Sequence, residues 1–527
     1  MSITSLTFIA FIFGIFALYY LIPKRFQWVL LLIASLIFYI SGGIQSVGYV
    51  LITASTVYLS AIVMQRLAQE QKQYIKENKT VLSKEEKKAY KSKIKNKRKL
   101  CMLAALLLNI GFLCFFKYFH FILEQINAVL RLTGVSQIQD TFHFIIPLGI
   151  SFYTFQAIGY LLNVYWEKLD AEQNYFKFLL FISFFPQITQ GPISEYSQLS
   201  QELFTEHSFS YKNYAWGGQR MIWGFFKKIA VADTIAPWVA TLFENYSSYS
   251  GISVLIGAFF YSIQIYADFS GYMDIMCGYC EMLGITLTEN FNCPYFSRSV
   301  AEYWRRWHIS LGAWFKNYIY FPIGMSTWSR KLGKTTKGKF GKHFADTFPA
   351  TIALVIVWTA TGVWHGASWA YITWGLVNGL FIIFGMWMEP VYEGWRNTLH
   401  IKENMWWWKA FQIIRTFILV TFIKVLPEVG TLSEGLGFWK QILWNHSIPS
   451  SISQILPFVD YFSHLGVVML GAAGMFLFDL IRNKRSPRED FNRLPVLVRE
   501  FLLACVIVLI ISFSAVNVGG GFMYAEF

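Results

Sequence analysis

The sequence predicts an all-α, polytopic integral membrane protein, and three observations support that expectation. The 527 residues are 55% hydrophobic and 19% aromatic with only 14% charged, a balance foreign to ordinary water-soluble enzymes. Apolar runs of bilayer length recur from end to end. The basic residues gather between those runs. A soluble chain of this size would divide into about three domains of roughly 150 residues. Repeated membrane crossing absorbs that length instead, so a single domain over 1–527 is expected, with N-terminal helices in 1–140, a core in 141–390 and C-terminal helices in 391–527.

A spanning helix needs about 20 mostly apolar residues. Windows at 5–22, 27–41, 47–65, 101–121, 144–163, 176–192, 252–283, 347–364, 368–389, 405–426, 462–481 and 496–514 approach that requirement. About 11 or 12 membrane helices are therefore expected. The run 176–192, interrupted by Pro186 and Gly191, suits a re-entrant or half helix lining a cavity. Regions 193–250 and 285–346 mix aromatic, apolar and charged residues and read as amphipathic helices at the interface. The first run reads as a membrane helix rather than a cleaved signal peptide, because a second follows within a few residues and no small-x-small site precedes it.

Charge sets the expected orientation. The net charge is +14, and the loop 66–100 alone carries Lys84, Lys87, Lys88, Lys91, Lys93, Lys95, Lys97 and Arg98. Such a loop belongs in the cytoplasm under the positive-inside rule. Lys24 and Arg25, the segments 330–342 and 390–404, and Arg482, Lys484, Arg485 and Arg488 then also lie inside, while 427–461 and both termini lie outside. No nucleic-acid recognition module surrounds the basic residues, and anionic lipid or a nucleotide-bearing donor accounts for them more simply. Six scattered cysteines make no disulfide framework, and Cys277 and Cys280 read as small helical residues.

Nine histidines are present. His207, His343, His400 and His446 sit in polar stretches that suit a solvated surface, and His120, His143 and His464 lie near the ends of apolar runs, where interfacial anchoring suffices. His365 differs. It follows the apolar run 351–364 and opens onto another, in Gly362-Val363-Trp364-His365-Gly366-Ala367-Ser368-Trp369. An ionisable ring at membrane depth is a functional candidate by default, and a satisfied histidine inside a helix bundle is the competing reading. In 303–311, helical spacing would set Trp304, Trp307, His308 and Leu311 on one face. The adjacent Arg305 and Arg306 suit phosphate oxygens, whether of a donor or of a lipid headgroup. A third cluster runs from Tyr266 to Asp274 and places Asp268, Ser270 and Asp274 in an apolar segment. Buried acids need partners, so these serve a proton path or shape a cavity by bonding Arg305, Arg306 or a backbone amide. A proton-coupled transporter or flippase thus rivals an enzyme. The acids and histidines lack ligand spacing, so no metal is expected.

Several stretches in order resemble one family. They are Pro147-Leu148-Gly149-Ile150-Ser151-Phe152-Tyr153, Phe184-Phe185-Pro186-Gln187 with Gly191-Pro192, Asp268-Phe269-Ser270-Gly271-Tyr272, Asn290-Phe291 with Pro294-Tyr295, the segment 303–311, and Trp364-His365-Gly366. Together they resemble the membrane-bound O-acyltransferase family, and in particular its bacterial branch similar to alginate and peptidoglycan O-acetylation proteins. The likeness covers about 140–390 well and the flanking helices loosely. The ending Gly519-Gly520-Gly521-Phe522-Met523-Tyr524 also resembles this branch, while Ala525-Glu526-Phe527 depart from the aromatic-rich endings expected there.

The resemblance implies a multi-helix fold enclosing a narrow transmembrane tunnel, with His365 catalytic and His308 a second functional histidine near the cytoplasmic entrance. It implies acetyl transfer from cytoplasmic acetyl-CoA, with no permanently bound cofactor, to an extracytoplasmic polysaccharide such as an exopolysaccharide or peptidoglycan. The lack of a large outer domain favours delivery through a hydrolase-like extracytoplasmic partner over direct transfer. The implied location is the bacterial cytoplasmic (inner) membrane. D-alanyl transfer to teichoic acid from a carrier thioester is the alternative within acyl transfer, and chain length with extra C-terminal helices favours acetylation. His365 would act as general base and then acid. Indole N–H groups of Trp364 or Trp369, or the Asn290 amide, would serve as oxyanion donors. Trp304, Trp307, Asp268 and Ser270 would line the passage, and Arg305, Arg306 and the segment 330–342 would attract the phosphates of coenzyme A.

Overall fold

The computed structural model describes residues 1–142, 147–447, 449–459, 462–483 and 486–514. His143, Lys484, Arg485 and the ending 519–527 considered above lie outside the described residues. The described residues are helical without a β-strand, and carry one isolated bridge between Phe291 and Trp307. They divide into two compact units, Met1–Ala215 with Tyr279–Leu287, and Trp216–Gly278 with Thr288–Phe527.

The first unit contains α1 (Leu6–Leu21), α2 (Gln27–Ser41), α3 (Ile44–Glu77), α4 (Lys84–Thr133), α5 (Ile150–Tyr165), α6 (Tyr175–Ser183), α7 (Phe185–Ile188) and α8 (Tyr196–Phe204). Local sequence explains the bounds. Ser83 and Glu86 close a capping box at the start of α4, and Gly134 ends that helix in the left-handed region. At 1.5 Å per residue α4 is about 75 Å long, well beyond the ~30 Å hydrocarbon core, so its basic first turns extend past the apolar stretch. Arg98 of α4 is buried and donates to the Tyr165 carbonyl at 2.8 Å, satisfying the end of α5, while pairing with Glu167. The run 176–192 breaks at Phe184, and Pro186 sits in the first turn of α7, where it needs no N–H partner.

The second unit takes most of α9 (Tyr211–Phe225), α10 (Asp233–Asn245) and most of α11 (Gly251–Met282). It continues with α12 (Val300–Arg306), α13 (Ile309–Phe315), α14 (Phe321–Gly324), α15 (Thr327–His365), α16 (Trp369–Thr398), α17 (Trp406–Lys424) and α18 (Leu432–Trp444). The last elements are α19 (Ile452–Ile455), α20 (Phe462–Arg482), α21 (Pro487–Asn492) and α22 (Val496–Ser514). Residues Phe226–Ala232 and Lys316–Tyr320 form wider π-helical turns, which concentrate at functional sites. Gly341 adopts φ +84° where the basic first half of α15 meets its apolar second half, a kink that a side chain would strain. The hairpin of α15 and α16 is built on close approach: a Cβ on Gly362 would stand 2.6 Å from the Tyr371 carbonyl oxygen.

Among the described residues eight helices are long and apolar enough to cross a membrane, and the chain is a multi-pass membrane protein. They are Lys24–Ser41, Ile44–Glu77, Lys84–Thr133, Gly251–Met282, Thr327–His365, Trp369–Thr398, His464–Arg482 and Val496–Ser514. The windows 5–22, 144–163 and 176–192 become shorter helices of 16, 16 and 9 residues followed by α7. The window 405–426 becomes α17, where Lys409, Arg415 and Lys424 lower the apolar content. Burial distinguishes the eight: 72% of the apolar window of α11 is buried against 6% in α22, so α11 is an interior helix and α22 presents itself to lipid.

Candidate active site

His365 is the last residue of α15, and the hairpin with α16 decides its surroundings. The ring is 3% exposed. Trp364 meets it edge-on at 4.8 Å between centroids and Trp374 at 4.7 Å, while Tyr371 lies nearly parallel at 6.5 Å. The glycines permit this crowding. Tyr371 fills the space beside Gly366 where any Cβ would overlap it, and Trp374 packs with Ile423 and Leu426.

The structure corrects the helical reading of 303–311. The helix α12 stops at Arg306, and His308 takes φ +47° and ψ +55° as the cap of α13, so Trp304, Trp307, His308 and Leu311 share no continuous helical face. The physical reason lies in residues 290–292. Trp307 bridges to Phe291, Asn292 N–H donates to the Arg306 carbonyl at 2.9 Å, and Ile309 N–H donates to the Asn290 carbonyl at 3.0 Å. The Asn290 side-chain oxygen accepts from Ser310 N–H at 3.1 Å, and its Nδ2 donates to Met273 Sδ at 3.5 Å. These nonlocal bonds replace the helical ones that a continuous α12–α13 would make.

His308 is thereby turned inward, 1% exposed, with Phe269 edge-on at 5.0 Å and Trp364 at 6.1 Å. Trp364 contacts both imidazoles. Outside the eight spanning helices, burial pushes the His308 ring down from 6.5 to about 3, so it is neutral at physiological pH.

The carboxylate cluster also pairs differently from the expectation. Lys228 Nζ reaches both Asp268 and Asp233 at 2.7 Å. Lys227 donates to Ser270 Oγ at 2.8 Å and to Asp274 at 2.7 Å, while Arg220 donates to Asp274 at 2.8 Å and forks onto Glu289. The partners are therefore Lys228, Lys227 and Arg220, not Arg305 and Arg306. The π-helical turn directs two consecutive lysines into the interior, where each stabilises a carboxylate that would be costly alone. Ser270 and Asp274 line a small, partly open pocket with Lys227, Tyr266, Glu289 and Arg482.

The other expected site residues are distributed unevenly. Trp304 Nε1 donates to Asn378 at 3.0 Å and its ring packs on Trp358 and Trp374. Trp307 is buried and stacks on Tyr303. Trp369 begins α16 at 55% exposure, whereas Tyr371 and Trp374 are the α16 rings that meet His365. Arg306 pairs with Glu302 at 2.7 Å, and Arg305 is exposed. Sequence reasoning missed Tyr371, Trp374, Lys424 and Glu428. Lys424 gave the clearest available signal, a cation closing an apolar window. Its Nζ sits 3.9 Å from the centre of the Trp307 ring and donates to Tyr295 Oη at 2.8 Å.

A neutral imidazole and nearby indole N–H groups in a water-poor interior can move a proton and stabilise developing negative charge, the needs of acyl transfer to oxygen. Comparison with known proteins points the same way. Residues 169–337 match the membrane-bound O-acyltransferase family. The chain is 32% identical over 365 residues to a probable alginate O-acetylase of Azotobacter vinelandii, covering 69% of this chain and 64% of that protein. It is 31% identical over 309 residues to a peptidoglycan O-acetyltransferase of Helicobacter pylori, covering 54% of each. A teichoic acid D-alanyltransferase of Bacillus subtilis is 27% identical over 278 residues, 52% of this chain and 67% of that protein. The chain thus spans less than two thirds of the two acetylating relatives. The family match and these similarities lead to one conclusion: residues 169–337 of the chain carry the sequence pattern of the membrane-bound O-acyltransferase family.

Proposed function

We propose that the protein is an O-acyltransferase that moves an acetyl group from cytoplasmic acetyl-CoA to a hydroxyl beyond the bacterial cytoplasmic membrane, for O-acetylation of an extracytoplasmic polysaccharide. The observation that carries this reading is the arrangement around Trp364, whose ring contacts two buried imidazoles, His365 and His308. Similarity to an alginate O-acetylase and a peptidoglycan O-acetyltransferase supports a sugar polymer as the final acceptor. An extracytoplasmic hydrolase-like partner receives the acetyl group first in this reading.

His365 takes the proton as the acceptor oxygen attacks the thioester carbonyl carbon. Trp364 Nε1–H stabilises the oxyanion of the tetrahedral intermediate. The C–S bond then breaks, and His365 returns its proton to the thiolate, leaving an ester and free coenzyme A thiol. At 3% exposure His365 is shielded from water, so both substrates approach along a passage lined or opened by the surrounding rings. The basic turns of α4, the segment 330–342 and Arg482 face the cytoplasm, and 427–461 and both termini face outward. Arg305 and Arg306 meet the donor phosphates.

Proteoliposomes supplied with labelled acetyl-CoA and a hydroxyl acceptor test this reading. Acceptor-dependent release of coenzyme A thiol is expected from the wild type and not from a monodisperse His365→Ala variant. Equal turnover in that variant would remove His365 from catalysis. Turnover with a D-alanyl carrier thioester but not acetyl-CoA would favour the teichoic acid reading, which the weaker 27% similarity supports less. Acceptor transport without thiol release would favour a transporter.

A further inference from the structure

The turn after α17 holds a carboxylate that the acyl-transfer step does not use. Glu428 accepts the hydroxyl of Tyr371 from α16 at 3.2 Å and is also hydrogen-bonded by Tyr261 of α11. One side chain therefore ties two helices to the end of a third. Tyr371 is the ring lying nearly parallel to His365, and it fills the space beside Gly366, the next residue in the chain. The same segment reaches His365 by a second route, because Ile423 and Leu426 pack on Trp374, whose ring meets the imidazole at 4.7 Å.

Glu428 is not held by charge. Among the described residues no lysine or arginine lies within ion-pair distance of it. Lys424, one turn earlier, directs its ammonium toward Tyr295 and Trp307 instead. Burial pushes the Glu428 carboxyl up to about 7, and a carboxyl oxygen accepts a tyrosine hydroxyl in either protonation state. A half-buried acid without a cation is a costly way to join helices, and a geometric task near a reacting group accounts for it better.

We propose that Glu428 is a positioning residue for His365: it holds Tyr371, and Tyr371 holds the imidazole and the chain reversal that follows it. The inference rests on the reading of His365 as the general base. Without the carboxylate, the Tyr371 ring gains freedom and His365 samples orientations that do not face the acceptor hydroxyl. The loss falls on turnover and leaves donor binding nearly intact, because Glu428 acts on the imidazole rather than on coenzyme A.

The test uses the full chain in lipid nanodiscs as wild type, Glu428→Ala, Glu428→Gln, Tyr371→Phe and the double variant Glu428→Ala/Tyr371→Phe. Two readouts are taken: acetyl-CoA turnover with KM, and the rate at which diethyl pyrocarbonate modifies His365, followed by mass spectrometry. The expected kcat loss is roughly 10-fold in Glu428→Ala and in Tyr371→Phe, with KM changed less than about twofold. The double variant should be no worse than either single one, since both remove one interaction. Glu428→Gln, whose carbonyl still accepts a hydroxyl, should return to within about threefold of wild type. Modification of His365 should change at least about threefold in the two single variants.

Losses that multiply in the double variant, a loss confined to KM, or unchanged modification of His365 would each overturn the proposal. Should Glu428→Ala fail to fold, Tyr371→Phe decides, because it deletes one oxygen and keeps the ring. A wild type without acetyl transfer would sink the functional reading alone, and the modification rates would still judge the role of Glu428.

Discussion

The two buried histidines meet the same indole but are held by opposite means. His365 ends a long helix and is oriented by side-chain packing: Trp364, Trp374 and Tyr371 surround it, and Gly362 and Gly366 let them close in. His308 sits in a left-handed turn and is oriented by backbone hydrogen bonds to residues 290–292. A ring held by packing responds to volume. A ring held by its backbone responds to φ and to lost hydrogen bonds.

The largest expected effect separates the two in chemistry. His365→Ala should lower acetyl transfer by about 1000-fold, the middle of the range for a general base, while His308→Ala should cost roughly 100-fold. Equal losses measured with labelled acetyl-CoA would break the assignment of distinct roles. Backbone strain sharpens the contrast. At φ +47° alanine is disfavoured by about 1 kcal/mol and glycine is not, so His308→Gly should melt above His308→Ala while both stay impaired in turnover.

Two neighbouring substitutions then probe the supports. Gly362→Ala should destabilise by about 1 to 3 kcal/mol through overpacking against Tyr371, with activity falling because His365 moves. Asn290→Ala should cost about 1 to 2 kcal/mol by orphaning the buried Ser310 N–H, and its activity loss should follow His308. Thermal unfolding in detergent measures both. A neutral Gly362→Ala would show that the hairpin has room to relax.

The effect that is smallest near neutral pH is that of proton binding. His308 binds its proton more weakly when folded, at about 3, than when unfolded, at 6.5. Its contribution to stability is therefore complete above pH 6.5 and is lost as pH falls from 6.5 toward 3. Stability of His308→Asn should decline less steeply than wild type over that window, and parallel profiles would place the acid sensitivity elsewhere.

Much of the fold was legible because membrane helices are written in composition: length, apolarity and flanking lysines are local properties. The exceptions are instructive. The run 144–163 reads as a spanning window, yet α5 is enclosed along nearly all of its 16 residues, since a hydropathy scale cannot distinguish lipid from protein as the apolar neighbour. Asp268 and Asp274 announced a need for cations, and the consecutive Lys227 and Lys228 were visible in an apolar stretch. Their pairing depended on a π-helical turn that no 3.6-residue periodicity contains. Glu428 left no trace at all, because nothing local to a Pro-Glu turn indicates two tyrosines more than 50 residues away in the chain.

By itself the sequence determined that this chain belongs in a bilayer and singled out His365 at membrane depth, because the cost of placing an ionisable ring among apolar residues is local and readable, whereas His308 entered through the family resemblance. Only the tertiary structure decided how those rings are presented. Whether 303–311 continues as a helix depends on hydrogen bonds from Asn290 and Asn292, and what touches His365 depends on which side chains α16 and the turn after α17 bring there. Those are contests between local preference and distant partners, and they are settled when the chain packs.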